Sequence, residues 1–321
     1  MESFGDEIAS IVTKRNTIYS RLGATLRKDL QLHLIILAPF IWLIIFAYVP
    51  MYGLIIAFKE FFPNLGMINS PWVGFVNFRA FFTSYQFPIV VRNTLSINFY
   101  NLLAGFPIPI ILALSINNAG NRIFKKTVQM VTYAPYFIST VVMVGLIIQL
   151  LSPSVGLYGK LTRLLDIDAP SLLSTPRYFK SVYVWSGIWQ NMGWNSIIFI
   201  AVLSSVDREL YDAATVDGAS RLQRIIHVEM PTVIPTAIIL LIINFGYLMT
   251  VGFEKIYLMQ NDLNLAASEV IQTYVYKVSF QNTIPNFSYA TAVGMFNSAV
   301  NLLLIVTVNS IAKRTSEISL W

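Results

Sequence analysis

The sequence predicts an all-α membrane protein that crosses the bilayer six times. Of its 321 residues, 55% are hydrophobic and 12% are charged, and the mean hydropathy is +0.63. Soluble domains carry about 25% charged residues, so this composition excludes a soluble globular chain. Six stretches reach the roughly 20 apolar residues that a bilayer requires, and none contains Asp, Glu, Lys or Arg. They are Leu32–Phe58, Leu95–Ile116, Val128–Leu151, Val182–Leu203, Val233–Phe253 and Tyr289–Ile311.

Each stretch is predicted to be a helix. In lipid an α-helix satisfies the hydrogen bonds of its own backbone, and the alternation of apolar and polar residues that is typical of a barrel strand is missing. The first stretch is too long for the core of a signal peptide and no small-residue cleavage site follows it, so it is expected to stay as an anchor. Prolines inside the stretches predict kinks because each removes a helix hydrogen bond. They are Pro39, Pro50, Pro107, Pro109, Pro135 and Pro235.

The chain divides into a polar N-terminal tail, residues 1–31, and one transmembrane domain, residues 32–321. For the tail an amphipathic surface helix is favoured over a partner-binding role. The first loop after the tail and first span, residues 59–94, is rich in aromatic residues, Pro and Gly, which predicts a compact cap at the membrane interface.

The basic residues indicate the orientation. If the N-terminus is cytoplasmic, the inside segments hold most of the 22 Lys and Arg residues in fewer positions than the outside segments have. Both termini are therefore predicted to be cytoplasmic. Anionic lipid facing the juxtamembrane basic residues accounts for the net charge of +6, so no nucleic-acid partner is expected.

The polar segment 209–231, which we call the elbow, lies between the fourth and fifth spans and carries the most specific pattern. The stretch Leu210–Asp217 contains good helix formers, and the dipeptide Asp217-Gly218 is a turn signal in which Gly can adopt positive φ. Ser220 is a candidate cap for a second helix that runs to Glu229, where the proline at position 231 is expected to stop it. The prediction is helix, sharp turn, helix, stop, on the cytoplasmic side.

The elbow resembles the cytoplasmic signature loop of binding-protein-dependent ABC importer permeases. That loop reads Glu-Ala-Ala, three residues, Gly, nine residues, Ile, one residue, Leu-Pro. The spacing fits throughout from Asp212 to Pro231, with Asp212 in place of the Glu, Val228 of the Ile and Met230 of the Leu. An ordinary amphipathic connector is the alternative interpretation of the segment.

The resemblance implies the type I ABC importer permease fold, with a cytoplasmic coupling helix between spans 4 and 5. In that family the loop sits in a cleft of an ATPase subunit and transmits its closure to the membrane helices. The implied ATPase-docking residues are Glu209, Asp212, Ala213, Ala214, Asp217, Gly218, Arg221 and Pro231.

The resemblance also implies the partners: a second permease that forms a heterodimer, two ATPase subunits, an extracellular sugar-binding protein, an oligosaccharide and the lipid bilayer. No cofactor is expected in this chain, since ATP and Mg²⁺ would bind the partner ATPase. The implied location is the bacterial cytoplasmic membrane, with multiple passes.

The first outside loop and the span before it, from Pro50 to Lys59 and through Ser70-Pro-Trp-Val-Gly74, look like the carbohydrate-type branch of these permeases. More narrowly, they are similar to the group that serves complex, often uronic-acid-containing plant oligosaccharides in Gram-positive bacteria. The implied function is a permease that translocates an oligosaccharide into the cytoplasm by alternating access.

What the sequence lacks supports an external energy source. Ionisable groups are missing from the spans, apart from His33 at one edge, which argues against proton coupling. No Gly-x-x-x-x-Gly-Lys-Ser/Thr sequence is present to cradle a phosphate, and there are no cysteines. Neither His33 nor His227 has metal-ligand spacing to other candidate ligands, so neither catalysis nor a metal site is expected. A membrane scaffold or sensor that binds a non-ATPase partner is the alternative function, and a membrane enzyme ranks third.

Substrate contacts are predicted from residue types that suit a sugar, namely aromatic faces for stacking and uncharged hydrogen-bonding groups. Trp at a span end is alternatively an interfacial anchor, and buried Asn alternatively serves helix association. The candidate pathway residues are Trp185, Trp189, Asn191, Trp194, Asn195, Asn244 and Tyr247.

Overall fold

The computed structural model describes residues 30–316 and 319–320, and its regular structure is helical. Within these ranges the β-type pairing is one isolated antiparallel bridge between Lys59 and Trp72. The predicted all-α class is confirmed. The tail predicted for residues 1–31 lies outside the described residues, except for its last two, so the domain boundary after it stays a prediction.

The described chain forms two compact units that divide between Ile56 and Ala57. Its α-helices are Leu30–Leu43, Val49–Met51, Gly66–Asn69, Val76–Phe82, Gln86–Gly105, Pro107–Asn118, Arg122–Tyr133, Thr140–Leu150, Leu157–Leu164, Pro176–Ser204, Arg208–Val216, Arg221–Arg224, Met230–Gly246, Phe253–Met259, Leu265–Ser268, Ile271–Tyr276 and Phe287–Ser316. Turns of π-helix cover Ile44–Tyr48, Ile225–Glu229 and Lys277–Gln281, and 3₁₀ turns cover Tyr52–Phe58 and Ala134–Phe137.

Within the described chain, four helices are long and apolar enough to cross a membrane: Leu30–Phe58, Gln86–Asn118, Arg221–Gly246 and Phe287–Thr315. The pair Arg122–Phe137 and Thr140–Leu150 is a fifth candidate. The predicted fourth span lies in the 29-residue helix Pro176–Ser204, whose Trp, Asn and Gln side chains make it less apolar than those four. The count of six spans therefore stays a prediction.

The third predicted span is sharply bent near Pro135, one of the six prolines at which a kink is predicted. Its two helices meet at 102°, with Pro135 in the 3₁₀ turn between them. The Gln190 side chain donates to the Ile138 carbonyl at 3.0 Å, and Ser139 caps the second helix through the Val142 N–H at 3.4 Å. The predicted kink is confirmed, and polar side chains satisfy part of the backbone that it exposes.

The helix that contains the second predicted span starts earlier, at Gln86, and includes Arg92. One predicted helix end is wrong: the helix of the fifth predicted span ends at Gly246 instead of Phe253. Beyond it, the Met249 N–H donates to the Asn301 side chain, and the Gln272 amide donates to the Met249 carbonyl, both at 2.9 Å. These side chains satisfy the backbone N–H and carbonyl groups of Met249, so the apolar segment after Gly246 does not need to be helical.

The core of the second unit consists of three apolar clusters. One of them joins the helices on either side of the elbow, and Ile225 and Met230 of the elbow pack against it. Close backbone approach also joins Pro176–Ser204 to Arg122–Tyr133, since a Cβ at Gly193 would lie 2.1 Å from the Thr132 carbonyl oxygen. The buried members of the elbow-side cluster are Ala113, Leu114, Phe199, Leu203 and Val233.

Candidate functional site: an exposed elbow and a polar cavity

The first helix of the elbow is Arg208–Val216, capped at its start by the Asp207 side chain, which accepts from the Glu209 N–H at 3.0 Å. It ends in a Schellman motif. The Ala219 N–H donates to the Ala214 carbonyl at 2.9 Å, and the Gly218 N–H donates to the Thr215 carbonyl at 3.1 Å. Gly218 has φ +72°, so the predicted turn and its positive φ are confirmed.

The second helix of the elbow starts at the predicted cap. Ser220 and Gln223 form a capping box, with the Gln223 N–H donating to Ser220 Oγ at 3.3 Å and the Ser220 N–H donating to Gln223 Oε1 at 2.7 Å. The predicted stop at Pro231 is wrong. A π-helical turn over Ile225–Glu229 precedes the proline, and the helix continues to Gly246. The wider turn accommodates a residue without an N–H, so the elbow is continuous with a membrane helix.

The predicted docking residues lie on an accessible surface. Ala214 is half-buried, and the other seven, from Glu209 to Pro231, are exposed. Two large apolar side chains stand beside them, with Leu210 exposed at 53% and Val216 at 88%. A groove of about 340 Å³ runs between the two arms of the elbow. It is lined by Ala214, Asp217, Gly218, Ala219, Gln223, Arg224, His227 and Val228.

A buried carboxylate lies where the elbow meets the membrane helices. Glu229 is 1% exposed. Its Oε1 accepts from the Asn117 amide at 2.9 Å and from the Tyr211 hydroxyl at 3.1 Å, and its Oε2 accepts from the Asn118 amide at 2.7 Å. Burial raises the pKa of the Tyr211 phenol; the Asn117 amide opposes this rise and the Glu229 carboxylate adds to it, so the phenol remains a donor. No pattern in the sequence indicates this cluster, because Asn117 and Glu229 are 112 residues apart.

The second part of the site is a cavity of about 1010 Å³ between the helices of the second unit. Five of the seven predicted pathway residues line it: Asn191, Trp194, Asn195, Asn244 and Tyr247.

Trp185 and Trp189 do not line the cavity. Several lining positions on helix Pro176–Ser204, at 183, 187, 191, 194 and 198, recur every three or four residues and so lie along one face, and the two tryptophans fall two residues to either side of lining Gly187. Trp185 instead donates its indole N–H to the Tyr100 hydroxyl at 2.9 Å. Residue type indicated both tryptophans, but the helical period places them on another face.

The cavity wall combines amide groups with one stacked aromatic pair. Tyr136 and Trp194 lie parallel, with ring centroids 4.4 Å apart and an interplanar angle of 2°. Asn98, Asn101 and Gln190 add polar side chains from two helices. Such a surface offers hydrogen bonds and an aromatic face, the features that bind a polyhydroxylated ring.

One cation, Lys255, lines the cavity. No pattern in the sequence indicated this residue. Lys255 Nζ donates to the Tyr183 carbonyl at 3.1 Å and lies 4.9 Å from the centre of the Tyr183 ring. No described carboxylate forms an ion pair with it. Desolvation by burial lowers the pKa of Lys255 to about 8. The cavity therefore has an unneutralised positive group in its wall.

Among the described residues, no group of three or more His, Cys, Asp or Glu side chains is placed to hold an ion.

Together, the fold and the site define a multi-pass helical membrane protein of the transporter class, with a polar cavity between its helices and an exposed elbow continuous with one of them. A sequence model of the family described as binding-protein-dependent transport system inner membrane component matches residues 105–317. The chain belongs to this family. The predicted resemblance to ABC importer permeases is confirmed, and the chain is the membrane component of such a system.

Two relatives match this chain over nearly its whole length. The chain is 38% identical to Protein LplB of Bacillus subtilis (strain 168) over 298 residues, which is 93% of each chain. It is also 38% identical to the polygalacturonan/rhamnogalacturonan transport system permease protein YteP of the same strain, over 92% of each chain.

Solved structures agree in fold. A crystal structure of a bacterial ABC transporter involved in the import of the acidic polysaccharide alginate matches with a TM-score of 0.85 and 37% identity, covering 92% of this chain and 99% of that one. A second, of an alginate ABC transporter in complex with an alginate pentasaccharide-bound periplasmic protein, has a TM-score of 0.86 at 36% identity and covers 94% and 100%. The predicted permease fold is confirmed.

Proposed function

We propose that the chain is the translocating permease subunit of an ATP-driven importer that takes up an oligosaccharide delivered by an extracellular binding protein. The observation that carries the proposal is the pairing of a polar cavity with an exposed elbow that is continuous with the membrane helix Met230–Gly246. A push on the elbow is thereby a push on a helix whose Leu240 and Asn244 line the cavity.

The energy enters through another polypeptide in this proposal. An ATPase with bound ATP and Mg²⁺ docks on the elbow. There the exposed Asp212 provides a negative charge, and the small side chain of the exposed Ala213 permits close approach. Two such ATPases and a second permease complete the assembly that the resemblance implies, with both termini and the elbow in the cytoplasm. Closure of the ATPases turns the cavity outward, and reopening releases the sugar inside.

The cavity favours an acidic oligosaccharide. Its volume of about 1010 Å³ lies at the upper end of the roughly 300–1,000 Å³ range of ligand pockets. The stacked pair of Tyr136 and Trp194 suits a sugar ring, and Lys255 provides an unpaired cation for a carboxylate. Lys180, one helical turn before Tyr183, does not line the cavity and donates to Ser96 Oγ at 2.6 Å. Burial, and then the neighbouring Arg92, lower its pKa. The names of the YteP and alginate relatives, which handle acidic polysaccharides, point the same way.

The test uses the complex purified in detergent and reconstituted in lipid vesicles. ATP turnover is expected to rise when the binding protein and its sugar are added, and labelled oligosaccharide is expected to enter the vesicles with ATP hydrolysis. If no nucleotide-hydrolysing protein co-purifies with the chain, the importer is refuted in favour of a scaffold or sensor.

The substrate class is tested with one residue and two sugars. Lys255→Gln is expected to lower uptake of a uronic-acid oligosaccharide about tenfold or more, because a charge-assisted hydrogen bond contributes about 1.5–3 kcal/mol. Lys255→Arg keeps the charge and serves as the matched control. A neutral oligosaccharide of the same length reports any loss of folding. Equal losses for both sugars would refute the charge argument.

A further inference from the structure

The carboxylate of Glu229 joins three segments that the chain keeps apart. It lies in the π-helical turn Ile225–Glu229, which leads directly into the membrane helix Met230–Gly246. Tyr211, which donates to it, is on the first helix of the elbow, and Asn117 and Asn118 end the membrane helix Pro107–Asn118. One side chain thus contacts both arms of the elbow and a second membrane helix.

This cluster has the properties of a stiff connection. Glu229 is almost wholly buried, and its described partners are neutral donors, with no ion pair. A buried carboxylate that loses a donor is left unsatisfied in a place that water does not reach, so each bond resists separation more strongly than an exposed one. Lys125 donates to the Asn117 carbonyl at 2.8 Å and so fixes the backbone that presents the amide.

The apolar cluster beside it extends the connection. Leu114, one turn before Asn118, is buried together with Val233, one turn after Glu229, and both pack with Leu203 of the helix that precedes the elbow. The polar bonds fix the register of the helix ends, and the close-packed apolar contacts transmit displacement between them.

We propose that Glu229 is a positioning residue that transmits movement of the elbow to two membrane helices at once. Its backbone moves Met230–Gly246, and its hydrogen bonds to Asn117 and Asn118 move Pro107–Asn118 in the same step. Tyr211 links the first arm of the elbow, where the docking residues lie, to this carboxylate. The inference rests on the proposed function, since it describes how a force on the elbow reaches the cavity walls.

The test is Tyr211→Phe, which removes one donor and keeps the ring, measured in the reconstituted complex as oligosaccharide transported per ATP hydrolysed. We expect this ratio to fall at least two- to tenfold, the range that the loss of one ordinary hydrogen bond implies, because the variant loses both the bond to Glu229 and the bond that the hydroxyl accepts from the Asn117 amide at 3.2 Å. Glu229→Gln, which presents an amide N–H₂ to the donors around it, is expected to lower the ratio further. Tyr158→Phe is the matched control, since its hydroxyl contacts the Pro170 carbonyl at 3.3 Å away from the elbow.

A merely structural role makes a different set of predictions. Less assembled complex or a lower melting temperature, with an unchanged ratio of sugar to ATP in the complex that remains, would overturn the proposal. So would an equal fall in the Tyr158→Phe control. If the wild-type complex itself shows no ATP-dependent uptake, the proposed function fails and the linkage falls with it, whereas an active wild type with an unaffected Tyr211→Phe ratio refutes the linkage alone.

Discussion

Substitution of Gly218 by Val tests whether the shape of the elbow turn is required for coupling. Gly218 has φ +72°, and no heavy atom lies within 4 Å of the position that a Cβ would take. A side chain at position 218 therefore meets no steric clash within this chain, and its energetic cost comes from the backbone conformation alone. For an ordinary L-residue the left-handed region costs about 1–2 kcal/mol, and a β-branched residue lies at the upper end or beyond.

The consequence for the turn follows from that magnitude. A cost of about 2 kcal/mol lowers the equilibrium for the formed turn roughly 30-fold. Opening the turn also breaks the Schellman bonds from Ala219 to Ala214 and from Gly218 to Thr215, which leaves helix-end carbonyls unsatisfied. We therefore expect Gly218→Val to reduce ATP-dependent uptake by tenfold or more at equal amounts of permease in the vesicle.

The control is Gly218→Asn, because Asn tolerates the left-handed region while adding a side chain of similar size to Val. We expect uptake in the order Gly, Asn, Ala, Val. Normal uptake by the Val variant, with normal expression, would refute the requirement for this turn. If Asn were as harmful as Val, the backbone argument would be wrong and contact between the added side chain and a docked partner would be the cause.

Three further predictions concern the helices and the cavity. Gly193→Ala places a Cβ 2.1 Å from a backbone carbonyl of the facing helix, so the melting temperature of the detergent-purified protein is expected to fall, in line with the roughly 1–3 kcal/mol that overpacking costs. Gly145→Ala, with open space around it in the helix Thr140–Leu150, is the control and is expected not to lower the melting temperature, because Ala is the better helix former. The pKa of Lys255 is lowered to about 8, so its charge is present below that pH and lost above it. Uptake of an acidic sugar should therefore fall as the pH rises through 8, whereas uptake of a neutral sugar should not. A parallel decline of both would contradict the assignment of Lys255 to substrate binding. Trp194→Ala removes half of the stacked pair and is expected to raise the KM for sugar uptake roughly two- to tenfold, from the 0.5–1.5 kcal/mol typical of an aromatic contact, whereas Trp185→Ala, outside the cavity, should leave the KM unchanged.

The features that the sequence predicts correctly are those with local causes. Gly218 and Ser220 set the end of one helix and the start of the next through contacts within five residues, so their spacing alone predicted the turn and the cap. Pro135 likewise predicted the bend between two helices, because the loss of its hydrogen bond does not depend on distant residues.

The wrong predictions arise where distant residues or an unusual local turn replace a missing bond. Pro231 was expected to stop a helix, yet a π-helical turn carries the chain past it. The span predicted to reach Phe253 ends earlier, because Asn301 and Gln272 satisfy the backbone around Met249. Sequence spacing does not reveal such substitutes, since they come from other helices.

What the sequence determined by itself is the membrane class, the turn and cap of the elbow, and the residue types predicted to line a sugar pathway. The tertiary structure decided which of those residues share a wall, with Trp194 inside the cavity and Trp189 outside it, and it added Lys255. It also decided that Glu229 meets Asn117 across 112 residues of chain. The physical reason is that helix caps and apolar spans depend on neighbours along the chain, whereas cavities and buried polar clusters depend on which helix faces meet when the spans pack.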